Sequence, residues 1–245
     1  VDDRGKGAAV VTGAGSGVGR AVAVELAKLG MRVGLMGRDR GKLEETAALI
    51  GGEPSRVWME AVDVGDREGV EQAVGRIEEG FGTIDVLVCN AGVNVPKRAL
   101  AELEPADWDR MLRTNLTGAF YLVRAVLPGM RRRRSGLVVQ ICSISGKRAS
   151  VLGGVGYSAS KFGQAALGIC LGREERVHGI RSTVIYPGEI NTPILDRRPV
   201  AVPAERRAAI LQPEDVAAAV RFVVELPARA NVPELVMTPT VDEWF

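Results

Sequence analysis

The stretch Thr12-Gly13-Ala14-Gly15-Ser16-Gly17-Val18-Gly19 constrains this chain more than any other. It follows a short β-branched apolar run, Ala8 to Thr12, and leads into a helical segment, Val18 to Leu29, that Gly30 stops. Glycines at such a turn let the backbone approach a ligand closely. The helix start then aims its amides and dipole at the same point, which is how a phosphate is held. An ordinary tight strand-to-helix turn is also glycine-rich. The stretch does not match G-x-G-x-x-G but does match T-G-x-x-x-G-x-G. Its place at the first strand of the chain favours nucleotide binding over a plain turn.

The alternation begun there continues to the end of the chain. Strands are expected at Arg32 to Gly37, Arg56 to Val62, Val86 to Cys89, Leu137 to Cys142, Ser182 to Tyr186 and Glu234 to Thr238. Helices are expected from an Asp39 N-cap to Ile50, over Asp66 to Gly80, over Asp107 to Arg132 after Pro105, over Tyr157 to Val177, and over Pro213 to Glu225. Val86-Leu87-Val88-Cys89 is apolar on both faces, as a strand in the middle of a parallel sheet must be. Alternating strand and helix imply an α/β, doubly wound fold: a parallel sheet of about seven strands with helices on both faces. No repeat or shift of composition divides residues 1–245, so one domain is expected. Pro193 to Gln212, with three prolines and little periodicity before Ala204, is the expected mobile segment.

Composition excludes several classes. The formal net charge of +2 gives no electrostatic case for a nucleic-acid or membrane partner. No apolar run approaches the roughly 18–20 residues that span a bilayer, and Val1-Asp2-Asp3-Arg4 lacks a signal-peptide core. Cys89, Cys142 and Cys170 match no zinc or redox spacing and are expected as buried thiols in the cytoplasm. With His178 as the single histidine, no metal site is expected. The basic run Arg131 to Arg134 reads as a solvated cap at a helix C-terminus, since no aromatic residues are interleaved to stack bases.

Two further features carry chemistry. Tyr157 and Lys161 stand one helical turn apart on one face. A phenol titrates near 10, too high to exchange protons readily at neutral pH, and an adjacent ammonium is expected to pull it down. Ser143, at a preceding strand end, could polarise the oxygen that reacts. A Tyr and a Lys at this spacing also occur often on solvated helix faces. At the end of the second strand, where NAD sites place an acid, the chain reads Leu35-Met36-Gly37-Arg38-Asp39. Arg38 can pair with the 2′-phosphate of NADP, or simply face solvent.

Taken together, in this order and spacing, these motifs resemble those of the short-chain dehydrogenase/reductases, over Gly7 to about Thr240. The motifs are the T-G-x-x-x-G-x-G turn, Asp63-Val64, Asn90-Ala91-Gly92, Asn115, Ser143, Tyr157/Lys161, and Pro187-Gly188 with Thr192. The resemblance implies a Rossmann fold and a role for each position. Gly13, Ser16, Gly17, Val18 and Gly19 would wrap the phosphates, with Asp63 and Val64 at the adenine. Asn90, Ala91 and Gly92 would line the ribose. Pro187, Gly188, Ile190 and Thr192 would hold the nicotinamide. Ser143 would bind the substrate oxygen, and Tyr157 would exchange its proton. Lys161 would bind the ribose hydroxyls, and Asn115 would position a water linking Lys161 to solvent. The cofactor expected is NADP(H) rather than NAD(H), and the reaction is hydride transfer between it and a carbonyl or alcohol. The other reading is a non-catalytic NADP(H)-sensing protein that keeps the fold. Such proteins generally lose the tyrosine or the lysine.

Substrate contacts lie outside the shared motifs. Lys147, Arg148, Arg197 and Arg198 are candidates to receive an anionic group, or are solvated loop charges. Cys142, where many relatives carry serine, is expected to point into the core. The final strand lacks the Val-Asp-Gly-Gly of acyl-carrier-protein reductases, which lowers the weight on that substrate; with Leu211-Gln212-Pro213-Glu214-Asp215-Val216 it resembles instead a bacterial group of NADP-dependent reductases of hydroxy acids and aldehydes. Trp244-Phe245 could close a neighbouring subunit's pocket. The family also implies a homotetramer or homodimer paired through the two long helices. Small residues on the second, Ala159, Gly163, Ala166, Gly168 and Cys170, would allow close approach or would face their own sheet.

Overall fold

A computed structural model describes residues 7–242, so Val1-Asp2-Asp3-Arg4 and Trp244-Phe245 lie outside the described residues. Seven strands form one all-parallel sheet: β1 (Ala8–Thr12), β2 (Arg32–Gly37), β3 (Val57–Ala61), β4 (Val86–Cys89), β5 (Gly136–Ile141), β6 (Ile180–Pro187) and β7 (Glu234–Met237). Their order is β3-β2-β1-β4-β5-β6-β7, all pairs parallel. The chain runs outward one way from β1 and then crosses back to β4. That reversal opens a crevice at the carboxyl ends of β1 and β4, the place where such sheets bind ligands.

Each strand alternates its side chains between two cores. Ala9, Val11, Val33, Leu35, Val88 and Val139 face α1 (Gly17–Lys28) and α8 (Pro213–Glu225), which bring Val22, Leu26, Val216 and Val220. Ala8, Val10, Met36, Leu87 and Val138 face the other way, onto α3 (Arg67–Phe81) and α5 (Gly118–Arg133), through Val74, Ile77, Leu122 and Val126. The expected doubly wound α/β architecture, with helices on both faces, is therefore what forms.

The differences from the expected elements have local causes. The helical region over 107–132 is α4 (Pro105–Leu112), a π-helical turn (Arg113–Thr117) and then α5. The wider turn rotates Asn115 inward, where it is fully buried. The next long helix, α6 (Val155–Glu175), starts two residues before Tyr157, and β6 starts at Ile180. The segment expected to be mobile carries a 3₁₀ turn (Pro193–Arg197) and α7 (Ala204–Ala209). Arg206 pairs with Glu189 and Asp242, Arg207 pairs with Asp196, and Ile190 bridges Leu211. Such distant charge pairs leave no periodicity in a sequence. Cys170 is exposed rather than buried, because it falls on the outer face of α6, while Cys89 and Cys142 are buried as expected. The small residues of α6 divide. Gly168 packs on Val184 and Gln140 of its own sheet and Gly163 on Leu116, whereas Ala166 and Cys170 are exposed.

The arginine run at the end of α5 is engaged with its own chain. Arg131 pairs with Glu175, and Arg132 lies 3.7 Å from Glu78. Arg133 donates to the Ile84 carbonyl and Arg134 to that of Val177. The Glu175 side chain is 2 % exposed, and the Arg131 guanidinium holds its carboxyl below the usual carboxylate range. A depressed folded-state value adds stability above the unfolded pKa of about 4.3, and this is lost as pH falls through the folded value. Arg131→Met is therefore expected to lower the melting temperature at pH 7, because it leaves the buried Glu175 carboxylate without its partner. The gap from wild type in thermal melts should begin to narrow below the unfolded carboxylate pKa and close only once the pH has fallen through the depressed folded value of Glu175.

Candidate active site

At the carboxyl end of the sheet, the turn from β1 into α1 is built against β4. The Thr12 hydroxyl accepts from the amides of Asn90 (3.0 Å) and Ala91 (3.1 Å). Asn90 Nδ2 donates back to the Thr12 carbonyl at 2.8 Å. Gly13 takes φ +64°, and a Cβ on Gly19 would collide with the Gly13 carbonyl. The outer side of the turn is tied to α2 (Arg40–Ile50): Thr46 Oγ1 donates to Ala14 O at 2.9 Å and Arg20 to Gly15 O at 2.6 Å. Ser16 is the N-cap of α1, and its side chain caps none of the first amides. Those amides stay available to an anion.

A cavity of about 430 Å³ runs from this turn along the sheet edge. It brings together most of the expected cofactor residues: Gly13, Ser16, Gly17 and Val18, then Arg38, then Asp63 and Val64. Asn90, Ala91 and Gly92 follow, and at the far end Tyr157, Lys161, Pro187, Ile190 and Thr192. Two expected residues lie elsewhere. Gly19 is buried beneath the turn, supporting it without reaching the cavity, and Gly188 lines a second cavity. Asp39 caps α2, one oxygen of its carboxylate accepting from the Lys42 amide at 3.2 Å. Arg38 is exposed at the cavity wall with Lys42 nearby. The open amides of the turn at one end and Tyr157 at the other fit a nicotinamide dinucleotide.

The second cavity, of about 400 Å³, joins the first at Tyr157. Ser143 and Ser145 line it. Ser143 Oγ accepts from the Ser145 amide at 3.1 Å, which leaves its hydroxyl proton for another partner, and it hydrogen-bonds the Tyr157 phenol. Cys142 points into the protein and its thiol donates to Lys161 O at 3.2 Å.

Lys161 behaves differently from the expectation. Its Nζ donates to Ile141 O at 3.0 Å and Gln164 Oε1 at 2.7 Å, 5.7 Å from the Tyr157 ring centroid. Burial pushes the Tyr157 hydroxyl up to about 12, with Ser143 pulling the other way, and burial also lowers Lys161. The expected depression of Tyr157 by Lys161 is thus outweighed by desolvation, because the ammonium is drawn towards the carbonyl and the amide behind it. Asn115 lines neither cavity. It accepts from the Val93 amide (2.7 Å) and donates to Val93 O (3.0 Å) and Ser160 Oγ (2.9 Å). Ser160 in turn donates to Tyr157 O at 2.7 Å. A Cβ on Gly92 would stand 3.5 Å from Asn115 Oδ1 and 3.6 Å from Lys161 Nζ, so these groups meet under the site.

Gln164 and Gln140 were not expected there. Gln164 Nε2 donates to Gln140 Oε1 at 3.0 Å, and both are fully buried. The signals were present: an amide on the Lys161 face of α6, and one polar residue inside the apolar run Leu137 to Ile141. Arg98, on the β4–α4 loop, was also missed. Lys147, a candidate anion receiver, is instead paired with Glu234 at 2.7 Å.

Known proteins place this arrangement. The short chain dehydrogenase family model matches residues 7–200. An uncharacterized oxidoreductase of Staphylococcus saprophyticus is 36% identical over 232 residues, 94% of this chain and 96% of that protein. Serine dehydrogenase complexed with NADP+ superposes with a TM-score of 0.88 at 29% identity, covering 96% of both chains. An alcohol dehydrogenase from Thermococcus sibiricus complexed with 5-hydroxy-NADP gives 0.85 at 30% identity, covering 97% of this chain and 98% of that one. With the sheet order, the glycine turn and the two joined cavities, these matches establish that the chain belongs to the short-chain dehydrogenase/reductase family of oxidoreductases.

Proposed function

We propose that the protein interconverts a carbonyl and an alcohol with NADP(H), using Tyr157 as acid and base. The observation that carries this reading is Tyr157 itself, hydrogen-bonded to Ser143 where the long cavity meets the second one. A bound nicotinamide dinucleotide supplies or accepts the hydride. In reduction the Tyr157 hydroxyl gives its proton to the substrate oxygen, and the Ser143 hydroxyl donates to the same atom as negative charge develops. Tyr157 is left as phenolate, favoured by the hydrogen bond from Ser143, and is reprotonated from solvent. Gln164 and Asn115 act as positioning residues, one fixing Lys161 and the other the Val93 backbone. Oxidation requires the phenolate, so its rate should climb with pH, while reduction should fall only under alkaline conditions.

Preference for NADP(H) is supported by exposed Arg38 with Lys42 at the cavity wall, by the engagement of one Asp39 oxygen in its cap, and by the NADP-bound relatives. Losing a charge-assisted bond to the 2′-phosphate costs about 1.5–3 kcal/mol. Arg38→Ala should therefore raise KM for NADPH by roughly 10–100-fold and leave that for NADH within about twofold. Turnover with NADPH and NADH against ketones, aldehydes and quinones tests the reading. NADPH binding without turnover of any of them would favour the sensing role instead. Equal use of the two cofactors would remove Arg38 from the argument.

A homotetramer or homodimer through α5 and α6 is supported by exposed Phe120 and Phe162 on those helices, and mass measurement in solution tests it. A cytoplasmic location fits the three free thiols, and no described helix is long and apolar enough to cross a membrane.

A further inference from the structure

Tyr157, Lys161 and Gln164 follow one another along a single face of α6. Helical side chains lean back towards the N-terminus. Lys161 is thus directed over the turn that carries Tyr157, and Gln164 over the turn that carries Lys161. The ammonium has a polar neighbour on each side, and it goes to Gln164. Its Nζ donates to Gln164 Oε1 at 2.7 Å and to Ile141 O at 3.0 Å, and stands 5.7 Å from the Tyr157 ring centroid.

The Gln164 amide cannot turn away from this contact. Its Nε2 donates to Gln140 Oε1 at 3.0 Å and to Cys89 O at 3.4 Å, and both glutamines are fully buried. With its N–H groups directed at two oxygens, Gln164 must present its own oxygen to Lys161. Gln140, by accepting in this way, is left with its own Nε2 buried and without a hydrogen-bond partner. An unpaired buried donor lowers stability, and two apolar side chains in the same space would avoid it. Folding alone gives no reason for the pair. What the pair does act on is the ammonium beside Tyr157.

We propose that Gln164, held by Gln140, competes with Tyr157 for the Lys161 ammonium and so governs proton exchange at the phenol in the carbonyl–alcohol reaction proposed above, on which this inference rests. Both glutamines are positioning residues: neither lines either cavity, and both act through Lys161. Arg98 faces Tyr157 from the β4–α4 loop, Cys142 faces both Tyr157 and Lys161 from just after β5, and Cys89 faces Lys161 from the end of β4. Burial raises both thiols, Cys89 to about 12, so they stay neutral around pH 7. Among the described residues no carboxylate pairs with Lys161, and the oxygens of Gln164 and Ile141 are what draw the ammonium from the phenol.

Two profiles against pH test this: oxidation of a panel of primary and secondary alcohols with NADP+ or NAD+, and phenolate absorbance, with Tyr157 isolated by subtracting Tyr157→Phe. Gln164→Leu releases the ammonium towards the phenol, so both profiles should move down by roughly one pH unit. Gln164→Glu puts a carboxylate on the ammonium and a negative charge near the phenol, so both should move up by a similar amount. Gln164→Leu also strands Gln140 Oε1. The double variant Gln140→Leu/Gln164→Leu removes both amides at once and should reproduce the downward shift in a stable protein. Opposite shifts are not what a packing role would give. A fall in kcat with both profiles in place, or shifts of the same sign in Gln164→Glu and the double variant, would overturn the proposal and leave the oxidoreductase reading standing. No turnover of any alcohol, with phenolate absorbance still moving in opposite directions, would overturn that reading and leave the competition for Lys161 standing.

Discussion

Replacing Tyr157 with phenylalanine should lower kcat by roughly 10²–10⁴-fold, the usual contribution of a positioned acid or base. The ring stays, so the packing of α6 against the sheet stays with it. What is lost is one hydroxyl, hydrogen-bonded to Ser143 where the two cavities join. NADPH affinity, read by fluorescence, and the melting temperature should both remain close to wild type. A variant that keeps a tenth or more of its turnover would mean that another group delivers the proton. A variant that loses NADPH binding as well would make the effect one of cofactor placement. Under the proposed chemistry, Ser143→Ala should weaken turnover in the same direction but less, because Tyr157 would retain its proton.

The second large effect is expected at Gly19, which touches no ligand. A side chain there would run into the Gly13 carbonyl and the Asn90 amide, neither of which can retreat. Asn90 is held by Thr12, and Gly13 already adopts a positive φ. Gly19→Val should therefore cost about 1–3 kcal/mol from overpacking, which for a chain of this length lowers the melting temperature by roughly 3–10 °C. It should also abolish measurable NADPH binding, since the amide cradle has to deform to admit the new atoms. Full NADPH affinity in a variant that melts early would show that the turn and the binding site are separable. Gly15→Ala serves as an intermediate case: a Cβ there would stand 2.9 Å from Lys42 Cβ, which yields only if the start of α2 shifts.

The sheet was legible because its central strands β1, β4 and β5 are short and mostly apolar, with Gly13, Asn90 and Ser143 within two residues of their ends. The cofactor side of the site was legible for a related reason. A parallel sheet delivers its strand ends to one edge, so residues just after β1, β2, β4 and β6 meet there whatever lies between them. The substrate side obeys no such rule. Arg98 reaches carbonyls of residues 95, 152 and 197, and Glu189 meets arginines 9 and 17 positions away, pairings set by how loops fold over one another. The state of Tyr157 was also out of reach. Spacing puts Lys161 one turn away, but whether its charge or the loss of water governs the phenol depends on Ile141 O and Gln164, which draw the ammonium aside.

The ties between the glycine turn and α2 bear on any attempt to recode the coenzyme. The first residues after β2, Arg38 to Lys42, would be the obvious cassette to exchange. In this chain that cassette opens the same helix whose Thr46 and whose neighbour Glu45 hold Ala14 O and Arg20. Lys42 packs over Gly15 through its Cβ. Exchanging 38–42 alone would shift the helix start and slacken the glycine turn proposed to hold the cofactor's phosphates. The transplantable unit is the whole span from Thr12 to Thr46, and a graft of that length should retain affinity where a five-residue swap forfeits it.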